Sequence, residues 1–346
     1  MIPKFILSKS KVLEQYNKVK GISDFVSYSS KTNPLVTGIL EASTDSLFSV
    51  HLTSELKNIK DKSRVVFLAQ ALSQEQLKEL TNQGVRSFVV DNEPDLNEVL
   101  GFLESNDVEI NLMLRLRLRE NTLKTERYFV FGMTSDVVNK RIKEIRNNIK
   151  INNKIKQIGV HFHRKSQNMS EWNLIYEISE ALSEETLKSI NLICIGGGLP
   201  AEYANTNVNV INVIFDKIKE FKEWLNKNDI KLMIEPGRFI AAPSVKLVTS
   251  IIGMHDNNII VNASVYNSDL DALIVPVKLL IENELEKEGK PYTIKGITPC
   301  SMDLFRYRVY LNNPKIGDKI TFLNAGAYNF TSKFCDLDEI ETEIID

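Results

Sequence analysis

The chain has 346 residues, 43% hydrophobic and 25% charged, enough for one large domain plus a smaller one, each with a core of its own. Lys and Arg number 43 against 45 Asp and Glu, and the net charge of −2 gives no global electrostatic reason to expect nucleic acid or an anionic membrane as a partner. The 3 cysteines (Cys194, Cys300, Cys335) include no CxxC, the amino terminus lacks the pattern of a signal peptide, and no apolar run approaches the ~18 residues of a spanning helix. These features argue against a disulfide framework and a membrane protein, and they predict a cytoplasmic setting.

From about residue 10 to 240, short β-type runs alternate with helical ones. The predicted strands are Phe25 to Ser30, Leu47 to Leu52, Arg64 to Ala69, Ser87 to Asp91, Leu112 to Arg117, Gln157 to His163, Asn191 to Ile195 and Lys231 to Glu235. Helical patterns lie between them, among them Ser73 to Asn82, Glu93 to Leu103, Val137 to Ile149, Ser170 to Leu182 and Ala201 to Asn226. Eight strands with short helical crossovers predict an α/β fold, a (β/α)8 TIM barrel over 10–240, with a doubly wound sheet as the alternative. After Pro236-Gly237 the texture becomes β-rich: Val245 to Ile252, Ile259 to Tyr266, Tyr292 to Ile297, Tyr307 to Leu311 and Lys319 to Leu323, with one helix-like insert, Pro276 to Glu288. This predicts a C-terminal β domain over 241–346, to which residues 1–9 could add a strand.

Chemistry-bearing residues gather at the ends of the predicted barrel strands, where barrels of this kind keep their sites. Lys31, in Ser30-Lys31-Thr32-Asn33-Pro34, follows the first strand; a solvated strand end is its simplest reading taken alone. In His161-Phe162-His163-Arg164-Lys165-Ser166, strand alternation puts both histidines on one face with Ser166 just beyond. Two such histidines could bind a metal, but no third ligand is evident, and a flat imidazole against an aromatic ligand is the better reading. Gly196-Gly197-Gly198 precedes a helical pattern and would let backbone N–H groups approach an anion, or simply form a tight turn. Glu235-Pro236-Gly237-Arg238 supplies a carboxylate and then a guanidinium able to grip phosphate, or a surface ion pair. In the β domain, Cys300-Ser301-Met302-Asp303 sets a thiol beside a carboxylate and Gly326-Ala327-Tyr328 a phenol after a turn; a buried Cys and a packed Tyr are their plain readings.

Taken together and in order, Lys-Thr-Asn-Pro, His-Phe-His-x-x-Ser, Gly-Gly-Gly, Glu-Pro-Gly-Arg, Cys-x-x-Asp and Gly-Ala-Tyr resemble the fold-type III, alanine racemase-like barrel of pyridoxal 5'-phosphate enzymes. More closely, the chain resembles the ornithine/diaminopimelate/arginine decarboxylases. The resemblance implies that Lys31 forms a Schiff base with the cofactor, that His163 stacks on its ring, and that Glu235 binds the pyridine nitrogen. Ser166, Gly196, Gly197, Gly198, Arg238 and Tyr328 would hold the phosphate, with Arg115 or Arg117 of the fifth strand nearby. It also implies a homodimer with shared sites, Cys300 coming from the neighbouring subunit to act when Cα is reprotonated.

Departures from the pattern bear on the substrate. Ser301 stands where an acidic residue often follows the cysteine, and Val275, in the loosely aligned segment Tyr266 to Pro276, stands where a charged residue reads the substrate's distal end. Asp269, Asp271 and Asp303 remain as amine partners. Ser49 replaces a common aspartate, and Lys165 replaces a glycine beside the phosphate serine, where it could hold a second anion or tighten the grip on the cofactor. The expected activity is removal of the α-carboxyl of a modified or conjugated amino acid, similar in kind to the decarboxylase portion of microcin C-type maturation enzymes, whose substrate is a peptide-nucleotide carrying a carboxy-aminopropyl group. The alternatives are decarboxylation of a free basic amino acid, racemisation, and non-catalytic binding of pyridoxal phosphate.

Overall fold

The computed structural model describes residues 1–118, 131–170, 172–287 and 289–346. Two compact units are present: one of Tyr16–Leu199 and Val210–Pro236, the other of Met1–Gln15, Pro200–Asn209 and Gly237–Asp346. The first strand, β1 (Lys4–Ser8), belongs to the second unit.

The first unit is a closed barrel of eight parallel strands: β2 (Phe25–Ser29), β3 (Leu47–Val50), β4 (Val65–Ala69), β5 (Ser87–Val90), β6 (Ile110–Arg115), β7 (Ile155–His161), β8 (Leu192–Cys194) and β9 (Lys231–Ile234). Closure comes from the pairing of β2 with β9, Val26 against Ile234. Because strand side chains alternate, one set from each strand turns inward. Val66, Val89, Met113, Leu192, Cys194 and Met233 pack on one another there, with Phe25, Leu47 and Leu68 against them. That apolar plug makes the barrel a core and leaves its chemistry to the carboxyl ends of the strands.

The second unit is a mixed sheet. Its strands are β1 with β10 (Val245–His255), β11 (Asn258–Val261), β12 (Leu280–Ile281), β13 (Pro291–Lys295), β14 (Leu304–Tyr310), β15 (Lys319–Leu323) and β16 (Thr342–Ile345). The main path runs β12-β15-β10-β11-β13-β14, and β1 joins β10 antiparallel and β16 parallel.

Four expectations need correction. The cut between the units falls after Pro236, not after residue 240, because the short helix Arg238–Ala241 is bound into the sheet unit: Arg238 pairs with Asp271, and Gly326 passes so close to Ala241 that a Cβ would meet its carbonyl oxygen at 1.9 Å. The helix expected from Ala201 begins at Ile211, since the preceding segment bonds elsewhere, Ala204 N–H to Lys278 O at 2.8 Å and the Asn205 amide to Pro276 O at 2.9 Å. Pro276 to Glu288 forms no helix over its described residues: Val277, Leu279 and Ile281 are buried in turn, a period of two that carries β12. Within Ser170 to Leu182 the helix spans Leu174–Ala181; Glu171, like Glu288, lies outside the described residues.

Candidate active site

In the barrel unit, the turn that carries Lys31 is fixed by the helix after it. Asn33 is the N-cap of helix Pro34–Ser43, its side chain accepting from Leu35 N–H at 3.1 Å, and Pro34 takes the first-turn position where a missing N–H costs nothing. Ser30, buried, bonds Thr37 at 3.0 Å. Lys31 therefore sits in a short 3-10 turn (Ser30–Thr32) between β2 and a capped helix, its own side chain partly open to solvent. Burial lowers its ammonium pKa; Glu235 and Glu55 act against this and Arg115 with it. An amine so placed loses its proton more easily than a surface lysine does, which suits a nucleophile.

Glu235, just past β9, is 4% exposed, with both oxygens engaged: Ser49 Oγ donates to Oε1 at 2.7 Å, and His161 Nε2 lies 2.9 Å from Oε2. Burial would raise its pKa, but His161, then Ser49, outweigh that and hold it at about 2. Ser27 Oγ lies 2.7 Å from Ser49 Oγ and extends the chain across the barrel.

β7 ends at His161, so the alternation expected to place His161 and His163 on one face stops there. His161 is fully buried on Glu235. His163 lies beyond the strand, with Nδ1 on the Arg164 carbonyl and its ring beside Gly197, where an added Cβ would come 3.6 Å from Nε2. Its ring is partly open to solvent, yet crowding by protein pushes its pKa down to about 4 against the pull of Glu235.

Gly196 and Gly198 have φ of +64° and +96°, which glycine adopts freely. A Cβ on Gly196 would meet Phe162 O at 2.6 Å, and one on Gly198 would meet Lys165 O at 3.1 Å. Asn168 N–H bonds Gly198 O at 3.0 Å, so the loop bearing Ser166 is laid along the three glycines. Of the two arginines expected on the fifth barrel strand, Arg115 ends it, turns toward Asp91 (2.9 Å) and is the one whose charge reaches Lys31 and His163. Arg117 is exposed and bonds the Gly132 carbonyl at 2.8 Å.

His51, just past β3, belongs to no motif of the sequence. Its Nδ1 is buried without a hydrogen-bond partner among the described residues, and burial, then the charge of Lys31, push its pKa down to about 3. Its only signal was a polar ring at the carboxyl end of a barrel strand. The donor atoms of His161, Cys194 and Glu235 lie within 4.8 Å of one another. Burial, and next the charge of Glu235, raise the Cys194 thiol well above its usual range, so this sulfur holds its proton more firmly than a free thiol does.

In the sheet unit, Arg238, expected to grip the phosphate, is held by an acid of its own. It is 5% exposed, its guanidinium forks onto both oxygens of Asp271 and reaches Tyr203 OH at 2.9 Å, and it lies 5.3 Å from the centre of the Tyr328 ring. Buried charge demands such partners, and Asp271 supplies them. Tyr203, which no sequence motif marks, completes that cage. Tyr328 takes a left-handed φ of +54° after the turn.

Tyr266 OH lies 3.1 Å from Cys300 Sγ, and its ring stacks on Phe334 at 4.1 Å. That hydroxyl, followed by the Met302 N–H, lowers the thiol's pKa. Ser301 is exposed beside it and Val275 half-buried. Asp303, expected to meet an amine, instead accepts from Val265 N–H (2.9 Å), Thr298 N–H (3.0 Å) and Thr298 Oγ1 (2.7 Å). Its carboxylate is a structural acceptor for three donors.

The barrel's groups fit pyridoxal phosphate by their chemistry. A lysine with a lowered pKa suits an aldehyde, a buried ionised carboxylate suits a protonated ring nitrogen, and a glycine loop free of side chains suits a phosphate.

Similarity to known proteins agrees with this fit. The family described as pyridoxal-dependent decarboxylase, pyridoxal binding domain, matches residues 20–242. The lysine/ornithine decarboxylase of Selenomonas ruminantium is 24% identical over 89% of this chain and 79% of its own length. The 2-[(L-alanin-3-ylcarbamoyl)methyl]-2-hydroxybutanedioate decarboxylase of Staphylococcus aureus is 24% identical over 79% and 74%. The lysine/ornithine decarboxylase of Vibrio vulnificus, solved with cadaverine, superposes with a TM-score of 0.80 at 20% identity, covering 99% of this chain and 94% of that one. The (β/α)8 barrel, the sheet domain and the ordered motifs thus have one explanation: this chain belongs to the pyridoxal-dependent amino acid decarboxylases.

Proposed function

We propose that this decarboxylase acts on an amino acid whose distal end is uncharged or joined to a larger group. The observation that carries the reading is the state of the three aspartates that could meet a distal ammonium. Asp271 is bound by Arg238, and Asp303 by Val265 and Thr298. Asp269 is buried; desolvation, then the charge of Asp271, raise its pKa well above its usual value, so its carboxyl resists ionisation. A carboxyl that resists ionisation and two engaged carboxylates make poor partners for an incoming cation. The half-buried Val275 adds none. The Staphylococcus aureus relative, named for a carbamoyl-linked alanine, supports a conjugated substrate; a peptide-nucleotide bearing a carboxy-aminopropyl group fits the same requirement.

In this reading Lys31 would hold the cofactor's aldehyde, Glu235 its ring nitrogen and His163 the face of its ring. Ser166 and Gly196 to Gly198 would receive the phosphate, with Arg115 in support. Pyridoxal phosphate, when bound, supplies the electron sink for the pair left by departing CO2. Cys300, its thiol made more acidic by Tyr266, would supply the proton for Cα. The shared-site homodimer, with Cys300 supplied by the second subunit, is part of the proposal. The test is CO2 release over free ornithine, lysine, diaminopimelate and arginine and over acylated or aminocarboxypropyl-linked amino acids. Turnover confined to the conjugates is expected; efficient turnover of a free diamino acid overturns the substrate reading.

A further inference from the structure

A polar chain crosses the barrel interior above its apolar plug. Ser27 from β2 touches Ser49 from β3 at 2.7 Å, Ser49 donates to Glu235 at 2.7 Å, and Glu235 meets His161 at the end of β7 at 2.9 Å. All four side chains are buried. The neighbouring layer is filled by valine, leucine and methionine, so packing alone does not call for an imidazole here. His161 Nδ1 is, moreover, buried with no hydrogen-bond partner among the described residues. A histidine kept for structure would satisfy both nitrogens; this one satisfies only the nitrogen that faces Glu235.

We propose that His161 is a positioning residue: carrying its proton on Nε2, it fixes one oxygen of Glu235 and leaves Nδ1 as a bare lone pair, so that the carboxylate keeps its charge and direction for the cofactor's ring nitrogen. This rests on the reading that Glu235 meets that nitrogen. The charge balance explains the bare Nδ1. A second proton would make His161 cationic and neutralise the pair, leaving nothing for a pyridinium. A neutral imidazole donates a hydrogen bond and leaves the negative charge in place. Ser49 does the same for the other oxygen, so two neutral donors on opposite walls set the plane of the carboxylate.

The test uses the full chain freed of cofactor and titrated with pyridoxal phosphate and with the analogue whose ring nitrogen is replaced by CH, following absorbance and protein fluorescence. His161→Leu removes the donor, His161→Gln keeps an N–H at similar reach, and Glu235→Gln is the control. The expected result is at least about a tenfold loss of pyridoxal phosphate affinity in His161→Leu, less than about threefold for the analogue, and near wild-type binding in His161→Gln. Equal losses for both ligands, no loss for either, or a glutamine variant as weak as the leucine one would overturn the proposal. If Glu235→Gln fails to separate the two ligands, it is the Glu235 reading that falls. Nitrogen-15 spectra of the wild-type histidines need no variant: His161 protonated on Nε2 and bare at Nδ1 supports the proposal, and the reverse tautomer overturns it.

Discussion

Asp303 gives the sharpest stability prediction, because the structure assigns its carboxylate to the chain and not to a ligand. Asp303→Ala removes three hydrogen bonds to a 1% exposed carboxylate, from Val265 N–H, Thr298 N–H and Thr298 Oγ1. Bonds to a charged group are worth about 1.5–3 kcal/mol each. Allowing for the desolvation that the carboxylate no longer suffers, the net loss is about 3 kcal/mol, or roughly 10 °C in the melting transition of a unit this size. Gly296 offers an independent route to the same damage, since a Cβ there would stand 2.0 Å from Asp303 Oδ1. Gly296→Ala alone should therefore be about as harmful, yet nearly harmless when Asp303 is already alanine, a coupling of at least about 2 kcal/mol in the double-mutant cycle. Because Asp303 pins Val265, next to Tyr266, and its N–H holds Cys300 O at 3.0 Å, turnover should fall with stability. Calorimetry of the four proteins decides the matter. A shift under about 2 °C in Asp303→Ala, or additive effects in the pair, would refute the reasoning.

The site yields further expected outcomes. Asn33→Ala removes the cap that sets the Lys31 turn and should cost about 1 kcal/mol in a urea titration, with weakened cofactor binding. His51 titrates at about 3 when folded against 6.5 when free, so the unfolded chain binds its proton first as pH falls and stability drops below about pH 6.5. Between pH 7 and 5 this one residue takes away about 2 kcal/mol, a slope that should flatten in His51→Gln when urea midpoints are compared at the two pH values. Mixing inactive Lys31→Ala and Cys300→Ala proteins should restore about a quarter of wild-type CO2 release if subunits share sites, and none if each subunit is self-sufficient.

The barrel was legible because its signals are local: alternating periods, short crossovers, and Asn33-Pro34 marking a helix start. The glycine run and Glu235 could be found because they follow predicted strands. Partnerships between distant residues could not be read this way. Ser49 and Glu235 are 186 residues apart, and nothing near Ser49 announces its acceptor. Asp271 folds onto Arg238 from 33 residues away, and nothing beside the arginine announces it. Asp303 looked available because a carboxylate beside a cysteine suggests chemistry, while its three donors come from the Val265 turn and from Thr298. The segment after Pro276 misled for a different reason: its apolar residues alternate, and a count of hydrophobic content without the period reads them as a helix.

The central claim is that Lys31 is the covalent anchor of the cofactor. Borohydride reduction of the holoenzyme, digestion and mass spectrometry of the peptides test it directly. A phosphopyridoxyl group on the peptide containing Lys31 and no visible absorbance band in Lys31→Ala are the expected results; label on another lysine, or a band that survives that substitution, would contradict the claim.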